Sequence, residues 1–331
     1  MRVAYFVQTH RAPAQVLRLL STLRRGSPGA LLVVGHDPAA EPLDERALEA
    51  LEARSFRPAH PPRRGYWSMF EPFVEAVELL DRLGPSYDWL VYLSGQDYPV
   101  RPLRASEAHL AASEYDGYLS WIDAEAETPE GRRRQGRVRY FYRYADHPEA
   151  VAALRLLRKA NGFQPWWHVH LVYGPRLGVR VRRPPFGPGL RPCWGSQWTT
   201  LRRACAERVA EAARAGSALV EHFRRTVCPD EAFAQTVLVN DGRFLLCNDS
   251  LRYVDMRGSR DGRPRILGLA DGPALAAGGY AFARKFDVDV DAAILDWLDE
   301  RLAPAGSPRA AAGAMPLPPQ GTRQVPLRPT E

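Results

Sequence analysis

The sequence predicts an α/β fold in one large or two medium domains, with a mostly parallel central sheet flanked by helices. Short apolar runs alternate with amphipathic helical patterns through the first hundred residues, and this alternation is typical of parallel sheets covered by helices. The chain has 331 residues, 45% hydrophobic and 25% charged, which is enough to bury a large core. These proportions exclude a wholly disordered, collagen-like or coiled-coil protein.

The first hundred residues supply the strands of that sheet. The predicted strands are 2–8, 30–34 and 87–93, and the predicted helices are 12–25, 43–54 and 66–83. Each strand ends in polar residues, namely Thr9-His10, His36-Asp37 and Ser94-Gly95-Gln96-Asp97. Because parallel strands bind ligands at their carboxyl ends, these three polar groups predict one binding region.

The rest of the chain is less regular. The sequence predicts helices at 146–160, 201–215, 230–239 and 290–302. An Arg-rich segment at 125–139 and a segment rich in Gly, Pro and Trp at 161–192 are predicted loops, and long loops within a domain are usually functional. From residue 303 onward Pro, Ala and Gly dominate, which predicts a disordered tail.

The positive charge is almost entirely arginine. The net charge is +7, and only two of the 45 Lys and Arg residues are lysines, Lys159 and Lys285. A genome-wide preference for arginine explains most of this pattern, and binding to nucleic acid or a membrane surface is the alternative. The basic run at 132–137 favours nucleic acid, but the other cations are dispersed. No apolar run is long enough for a signal peptide or a spanning helix.

Metal-binding and disulfide patterns are weak. Four separated cysteines without a CxxC motif suit unpaired thiols in a reduced compartment; they are Cys193, Cys205, Cys228 and Cys247. His168 and His170 alternate without a neighbouring Cys or His to complete a metal site. The series Asp287, Asp289, Asp291 precedes the last predicted helix, where acids cap free N–H groups. We expect no metal site.

Three other segments carry candidate chemistry. The P-loop, the GxGxxG fingerprint and the GxSxG elbow are absent from the sequence. Glu231 follows Pro229 and Asp230 at a helix start, either as part of a cap or as a general base in a cleft. Arg284 and Lys285 stand between two phenylalanines, either as a surface ion-pair cluster or as a clamp for a diphosphate. The third segment is Ser94–Asp97, described above.

Taken in order, these segments resemble the core-2/I-branching N-acetylglucosaminyltransferase and peptide O-xylosyltransferase family, glycosyltransferase family 14, and especially its bacterial members. The motifs are the first strand with Thr9-His10, then His36-Asp37, Tyr66-Trp67-Ser68, LSGQDYPV, GSQW, PDEAFAQTVLVN, LRYVD and FARKFDVDVD. The resemblance implies a GT-A-like catalytic domain at 1–302, with a nucleotide-binding half at 1–100 and an acceptor and catalytic half at 101–302. The disordered tail is 303–331.

The resemblance also implies an inverting transfer of a sugar from a UDP-sugar to a hydroxyl acceptor, without a divalent metal or any other cofactor. Glu231 would be the general base, and Arg284, Lys285 and Arg263 would stabilise the leaving diphosphate. The implied nucleotide-binding residues are Val7, Thr9, His10 and Asp37. The implied residues beside the donor or acceptor sugar are Asp97, Ser94, Trp67, Gln197, Trp198 and Asp230.

The expected partners follow from the same resemblance. GlcNAc is favoured over xylose as the transferred sugar, and the acceptor would be a glycan, glycolipid or natural product. Acceptor specificity is expected in the 161–192 segment. Animal members of the family have an anchor, a stem and disulfides, which this chain lacks, so we expect a cytoplasmic bacterial protein with no nucleic-acid partner and at most peripheral contact with the inner membrane. The alternative is a non-catalytic carbohydrate- or nucleotide-binding protein on the same fold.

Overall fold

Fifteen strands and ten α-helices are found in the computed structural model, which describes residues 1–84, 86–128, 131, 137–145, 147–172, 174–259 and 262–303. The strands are β1 (Val3–Thr9), β2 (Leu31–His36), β3 (Ala53–Phe56), β4 (Trp89–Ser94), β5 (Asp97–Pro99), β6 (Gly117–Tyr118), β7 (Trp121–Asp123), β8 (Tyr140–Tyr144), β9 (Trp167–His170), β10 (Arg176–Arg180), β11 (Cys193–Gly195), β12 (Thr200–Arg202), β13 (Leu246–Cys247), β14 (Arg252–Val254) and β15 (Phe282–Arg284). The helices are α1 (Pro13–Gly26), α2 (Glu45–Ala50), α3 (Glu71–Leu83), α4 (Leu103–Ala111), α5 (Pro148–Leu157), α6 (Arg203–Arg214), α7 (Ala218–Phe223), α8 (Phe233–Val239), α9 (Gly272–Ala277) and α10 (Ala293–Leu302). Most of the predicted tail lies outside the described residues, as do 129–130 and 132–136 of the predicted Arg-rich loop.

The central sheet has seven strands in the order β13-β6-β12-β4-β1-β2-β3. β1 is parallel to β2 and to β4, β2 is parallel to β3, and β6 is parallel to β13. Only β12 is antiparallel to its neighbours β4 and β6. The predicted α/β fold with a mostly parallel sheet is therefore confirmed.

Strand β1 is buried on both faces of this sheet. Its side chains alternate, so that Tyr5 and Val7 pack in one apolar core and Ala4 and Phe6 pack in the other. Helices α1, α4 and α10 contribute to the first core, and helices α3, α6, α7 and α8 contribute to the second. This two-sided burial explains why the strand appears in the sequence as an unbroken apolar run rather than as an alternating one.

Several predicted helices are shorter than expected. The helix predicted at 43–54 ends at Ala50, and Glu52 takes a positive φ of 50° before the edge strand β3 begins. The helix predicted at 230–239 is divided at Ala232, whose φ of −137° separates a 3-10 turn at Pro229–Glu231 from α8. The helix predicted at 201–215 begins only at Arg203, because the preceding residues form β12.

The segment at 161–192 is not a plain loop, so that prediction was wrong. It contains β9 and β10, which pair antiparallel and form a three-stranded sheet with β8. The glycine and proline residues that suggested a loop lie beside the strands or, at Gly178, within β10 opposite Tyr142. Their number in the sequence hid the short alternating patterns of the two strands.

The aspartate series before the last helix behaves as predicted at one of its three members. Asp291 accepts a hydrogen bond from the Ile294 N–H at 3.2 Å, within the first turn of α10, and another from the Leu269 N–H at 2.8 Å. Asp287 instead forms an ion pair with Arg11. The capping prediction is thus confirmed for the last of the three acids.

The cysteines have the state that the sequence predicted. All four cysteines are buried and unpaired, as predicted. Within the part of the chain that the structure describes, none of the helices combines the length and apolar character needed to cross a bilayer.

Candidate functional site

A cavity of about 1130 Å³ opens at the carboxyl ends of β1, β2 and β4. This is the edge at which parallel sheets bind ligands, because the loops there leave room. Eleven of the fourteen predicted site residues line it: Thr9, His10, Asp37, Ser94, Gln197, Trp198, Asp230, Glu231, Arg263, Arg284 and Lys285. Residues that are far apart in the chain are thus gathered around one space.

The other three predicted site residues do not line the cavity. The side chain of Val7 is fully buried in the core, and Gln8 lines the cavity instead because successive side chains of a strand alternate. Trp67 packs its ring against Phe233, with centroids 5.0 Å apart. Asp97 is 1% exposed and lies behind Arg284. The predicted positions of Val7 in the base pocket and of Trp67 and Asp97 beside the sugar are therefore corrected, because these side chains lie behind the residues that line the cavity.

The ends of β1 and β2 form one wall of the cavity. The Asp37 N–H donates to the Thr9 carbonyl at 2.9 Å, and Asp37 Oδ1 accepts a hydrogen bond from the Ala39 N–H at 2.9 Å. Burial and then the nearby Arg11 lower the pKa of His10, against the opposing charge of Asp37. A neutral imidazole and a fixed carboxylate can both hydrogen-bond to an uncharged polar ring or to hydroxyl groups.

Arg284 forms the centre of a cationic wall. Its guanidinium lies 4.2 Å from the centroid of the Trp198 ring, and its Nε lies 3.5 Å from Asp97 Oδ1. Nε and Nη1 are buried without a hydrogen-bond partner among the described residues. Nε faces the Asp97 carboxylate, but Arg284 also lines the cavity, so its positive charge can act on an anionic ligand there.

Lys285 extends the cationic wall. Burial lowers the pKa of Lys285, and the neighbouring charges of Arg263, Arg11 and Arg284 lower it further. Like charges held close together raise the energy of the empty site. An anion bound between them would relieve that repulsion, which favours the binding of a phosphate-bearing group.

One buried amide holds this wall in place. Gln15 Nε2 donates to the Gly95 carbonyl at 3.0 Å and to the Phe286 carbonyl at 3.2 Å, while Gln15 Oε1 accepts from the Val288 N–H at 2.9 Å. The Phe286 N–H also donates to the Gln96 carbonyl at 2.9 Å. The turn after β4 and the segment after β15 are therefore joined through α1. Nothing in the sequence distinguished Gln15 as part of the site.

Two adjacent acids lie across the cavity on the 3-10 turn. Asp230 is 5% exposed, whereas the Glu231 side chain is 28% exposed and reaches the cavity. Burial, and then the charge of Glu231, raise the pKa of Asp230 above its ordinary value. The two carboxyls thus have different environments, which is how a site separates the roles of two acids.

Arg137 accompanies Glu231 and was not predicted. Its Nη1 lies 3.3 Å from Glu231 Oε2, and its guanidinium lies 4.6 Å from the centroid of the Trp194 ring. Arg137, itself packed on the Trp194 ring, therefore fixes the orientation of the Glu231 carboxylate. In the sequence Arg137 follows a run of arginines, and no pattern separated it from them.

A hydrogen-bonded network closes the floor of the cavity. Gln197 Nε2 donates to Tyr92 Oη at 2.6 Å and to Gln8 Oε1 at 3.1 Å, and Tyr92 Oη donates to Gln8 Oε1. The buried Arg252 donates to the carbonyls of Tyr92 at 2.7 Å and Thr199 at 3.2 Å. Burial lowers the pKa of Arg252 to about 10. Gln8 and Arg252 are further residues that the sequence did not single out.

The GSQW motif requires its glycine for a close approach. A Cβ at Gly195 would lie 1.7 Å from the Ser120 carbonyl oxygen, a distance that no side chain can adopt. Gly195 pairs with Trp121 across β11 and β7, and the Asn248 amide exchanges hydrogen bonds of 2.8 and 2.9 Å with the Trp121 backbone. The motif therefore brings the Trp198 ring and the Gln197 amide to the cavity.

The cavity is predominantly cationic. Among the described residues that line it, seven are Arg or Lys, namely Arg11, Arg64, Arg137, Arg252, Arg263, Arg284 and Lys285. The acids on the same walls are Asp37, Asp230 and Glu231. No group of three His, Cys, Asp or Glu side chains with metal-binding geometry is found in the described ranges.

Comparison with solved structures gives weak likenesses. Glucosyl-3-phosphoglycerate synthase from Mycobacterium tuberculosis, in complex with Mn²⁺, UDP and glucosyl-3-phosphoglycerate, aligns with a TM-score of 0.27 and 14% identity over 54% of this chain and 56% of that one. The 2-C-methyl-D-erythritol 4-phosphate cytidylyltransferase from Thermus thermophilus aligns with a TM-score of 0.26 and 14% identity over 66% of this chain and 81% of that one. The alignment thus spans little more than half of the synthase.

These scores are too low to support an argument about the activity of this chain. No protein-family model matches the sequence, and no curated protein matches it. The resemblance to glycosyltransferase family 14 is therefore carried by the motifs alone.

Proposed function

We propose that this protein is an inverting glycosyltransferase that moves a sugar from a UDP-sugar to a hydroxyl group of an acceptor. The observation that carries the proposal is the arrangement of the cavity. The accessible carboxylate of Glu231 and the cationic pair of Arg284 and Lys285 line the same space. A general base and a site for an anionic leaving group are the two parts that such a reaction needs.

The charges of Glu231 and Arg284 influence each other. Burial lowers the pKa of Arg284, and the charges of Asp97 and, to a smaller extent, Glu231 oppose that change. Glu231 is therefore close enough to Arg284 for their charges to interact. A sugar carbon held between the two would have the base on one side and the cations on the other.

The proposed reaction is a single displacement. Glu231 takes the proton from the acceptor hydroxyl as its oxygen forms a bond to the anomeric carbon. The bond from that carbon to the diphosphate oxygen breaks on the opposite face, and its electron pair leaves with UDP. Arg284 and Lys285 stabilise the charge that develops on the diphosphate. The products are the inverted glycoside, UDP and one proton held on Glu231.

The remaining walls support the other parts of the substrate. In this proposal Asp37 and His10 hydrogen-bond the base and ribose at the ends of β1 and β2. Trp198 and Gln197 contact the sugar, since an aromatic ring packs against the apolar face of a pyranose. Arg263 lies on the diphosphate side, where its charge already affects the pKa of Lys285.

We further propose that the reaction needs no divalent metal. The support is the number of cationic side chains on the cavity wall, which can neutralise a diphosphate through charge-assisted hydrogen bonds. For the sugar we favour GlcNAc over xylose, and for the acceptor a glycan, glycolipid or natural product. Both choices come from the resemblance of the motifs.

A panel of nucleotide sugars tests the proposal. A ligand that binds only the folded state raises the melting temperature. We expect UDP and UDP-GlcNAc to raise it, and UMP, GDP-mannose and CTP to raise it less. Stabilisation by CTP without any response to UDP or a UDP-sugar would overturn the assignment. With UDP-[³H]GlcNAc, incorporation of tritium into members of a glycan acceptor library would then measure transfer directly.

A further inference from the structure

Residues 147–183 form a strongly basic segment. Residues 147–183 contain seven Lys or Arg residues and a single acid, Glu149, so they hold a net charge of +6 in a protein of +7. Arg155, Arg158 and Lys159 are exposed at the end of α5. The segment is therefore strongly basic, as is the preceding stretch at 132–143, which has six arginines and no acid.

The same segment exposes large apolar side chains. Its exposed apolar residues are Phe163 at 90%, Leu156 at 68%, Trp166 at 67%, Val179 at 62% and Leu157 at 41%. They are half of the ten exposed large hydrophobic residues in the described part of the chain. Clustered exposure of this kind marks an interaction surface, whereas single exposed apolar residues are ordinary.

Hydrogen bonds fix this arrangement. The amide of Asn161 bonds to both the N–H and the carbonyl of Val169 at 2.8 Å, and Gln164 Oε1 accepts from the Trp166 N–H at 2.8 Å. The Arg180 N–H donates to the Trp166 carbonyl at 2.9 Å. The turn after α5 is thus attached to the β9–β10 hairpin, with Phe163 and Trp166 held exposed.

A buried arginine joins the segment to the wall that carries Glu231. Arg176 is 1% exposed and donates to the carbonyls of Gly65 at 2.9 Å and Arg64 at 3.2 Å. The Gly65 carbonyl also accepts from the Cys228 N–H, which directly precedes the Pro229–Glu231 turn. The segment is therefore anchored beside the candidate active site.

We propose that residues 147–183 dock on an anionic lipid surface. Basic residues are attracted to anionic headgroups, and tryptophan, phenylalanine and leucine side chains insert at the boundary with the acyl chains. The aliphatic side chains of Leu156, Leu157 and Val179 distinguish this partner from a nucleic acid. Nucleic acids offer phosphates and stacked bases, neither of which stabilises an exposed aliphatic group.

Co-sedimentation of the full chain with lipid vesicles tests the proposal. We expect binding to vesicles of phosphatidylglycerol and phosphatidylcholine, little binding to phosphatidylcholine alone, and weaker binding as salt rises. The triple variant Arg155→Gln, Arg158→Gln, Lys159→Gln should weaken partition on the order of a hundredfold, because each basic residue near an anionic leaflet contributes a factor of about five. Phe163→Ser with Trp166→Ser should weaken it at least about tenfold.

Matched changes elsewhere on the surface serve as controls. Leu269→Ser with Val290→Ser removes two exposed apolar residues outside the segment. A second control is the triple variant Arg46→Gln, Arg54→Gln, Arg57→Gln, which removes three exposed cations in or next to α2 and β3. Both controls should bind vesicles like wild type, and all variants should keep their melting temperature and their response to UDP.

Three outcomes would overturn the proposal. They are equal binding to neutral and anionic vesicles, equal losses in the segment and control variants, and binding to single-stranded RNA without binding to vesicles. Failure of UDP to bind would contradict the proposed activity and leave the vesicle result unaffected.

Discussion

Asp97 and Arg284 lie opposite each other in the antiparallel strands β5 and β15, with Asp97 Oδ1 3.5 Å from Arg284 Nε. The second carboxylate oxygen, Oδ2, accepts a hydrogen bond from the Ser94 N–H at 2.6 Å. A single buried side chain therefore fixes both the turn after β4 and the guanidinium that faces the cavity. The arrangement makes Asp97 a positioning residue for the cationic wall.

Asp97→Asn should lower the free energy of unfolding by roughly 3 kcal/mol, since removing one partner of a buried ion pair leaves the other charge uncompensated. It should also weaken UDP binding about tenfold, because Arg284 loses its fixed position. Urea unfolding and titration calorimetry with UDP measure the two effects. Asp289→Asn, a change at an exposed acid, is the control, and wild-type UDP affinity in Asp97→Asn would contradict the positioning role.

Glu231→Gln should reduce the rate of sugar transfer by about 10²–10⁴, the usual contribution of a general base, while UDP binds as in wild type. Steady-state transfer assays and calorimetry separate the two quantities. Glu221→Gln makes the same chemical change at an exposed residue of α7 and should leave the rate unchanged. Near wild-type turnover in Glu231→Gln would show that another group takes the proton.

Asp230 should make stability depend on pH. Burial and the charge of Glu231 raise its pKa in the folded state, so between the unfolded and folded pKa values the folded chain holds a proton that the unfolded chain has lost. The free energy of unfolding therefore falls as pH rises through that window. We expect Asp230→Asn to remove this slope.

The measurement compares unfolding of wild type and Asp230→Asn by urea at about pH 5 and about pH 8. The variant should gain more than about 1 kcal/mol relative to wild type at the higher pH, because one pKa unit corresponds to about 1.4 kcal/mol. Asp289→Asn should run parallel to wild type. The same stability difference at both pH values would be evidence that Asp230 stays ionised when buried.

Removal of divalent metals should leave transfer intact. The cations on the cavity wall are expected to supply the charge that a metal would otherwise supply to the diphosphate. The test is the rate after dialysis against EDTA and passage through a chelating resin, with and without added Mn²⁺. A rate that disappears with EDTA and returns only with Mn²⁺ would exclude the metal-free mechanism.

Gly195→Ala should destabilise the protein by roughly 1–3 kcal/mol or more, as overpacking does, because the added Cβ meets the Ser120 carbonyl oxygen at 1.7 Å. Differential scanning calorimetry measures the loss. Gly29→Ala is the matched control, since a Cβ there meets nothing within 4 Å. Equal melting temperatures for both variants would mean that the strands β7 and β11 separate easily.

The sequence predicted the features that depend on neighbouring residues. The strands β1, β2 and β4 are unbroken apolar runs, and the polar groups that follow them at Thr9, Asp37 and Ser94 do meet at one cavity. Parallel pairing brings strand ends together whatever the details of packing. Glu231 and Arg284 could be proposed because adjacent residues formed recognisable motifs.

The residues that were missed act over long separations in the chain. Gln15 bonds to a carbonyl 80 residues away, Arg137 approaches a carboxylate 94 residues away, and Arg176 binds a carbonyl 111 residues away. Local patterns carry no information about such contacts, because their partners are set only when the sheet is assembled. For the same reason Val7 and Trp67 were assigned to the cavity although their side chains point into the core.

The Gln15 contacts also set the order in which the molecule can become functional. The carbonyl and N–H groups that this amide holds belong to residues as late as Val288, 273 positions further along the chain. A ribosome adds about 5–20 residues per second, so roughly 15–55 seconds pass between synthesis of α1 and the arrival of its last partner. A nascent chain has its first strands early, but Gln15 can hold the cationic wall only after Val288 has been synthesised.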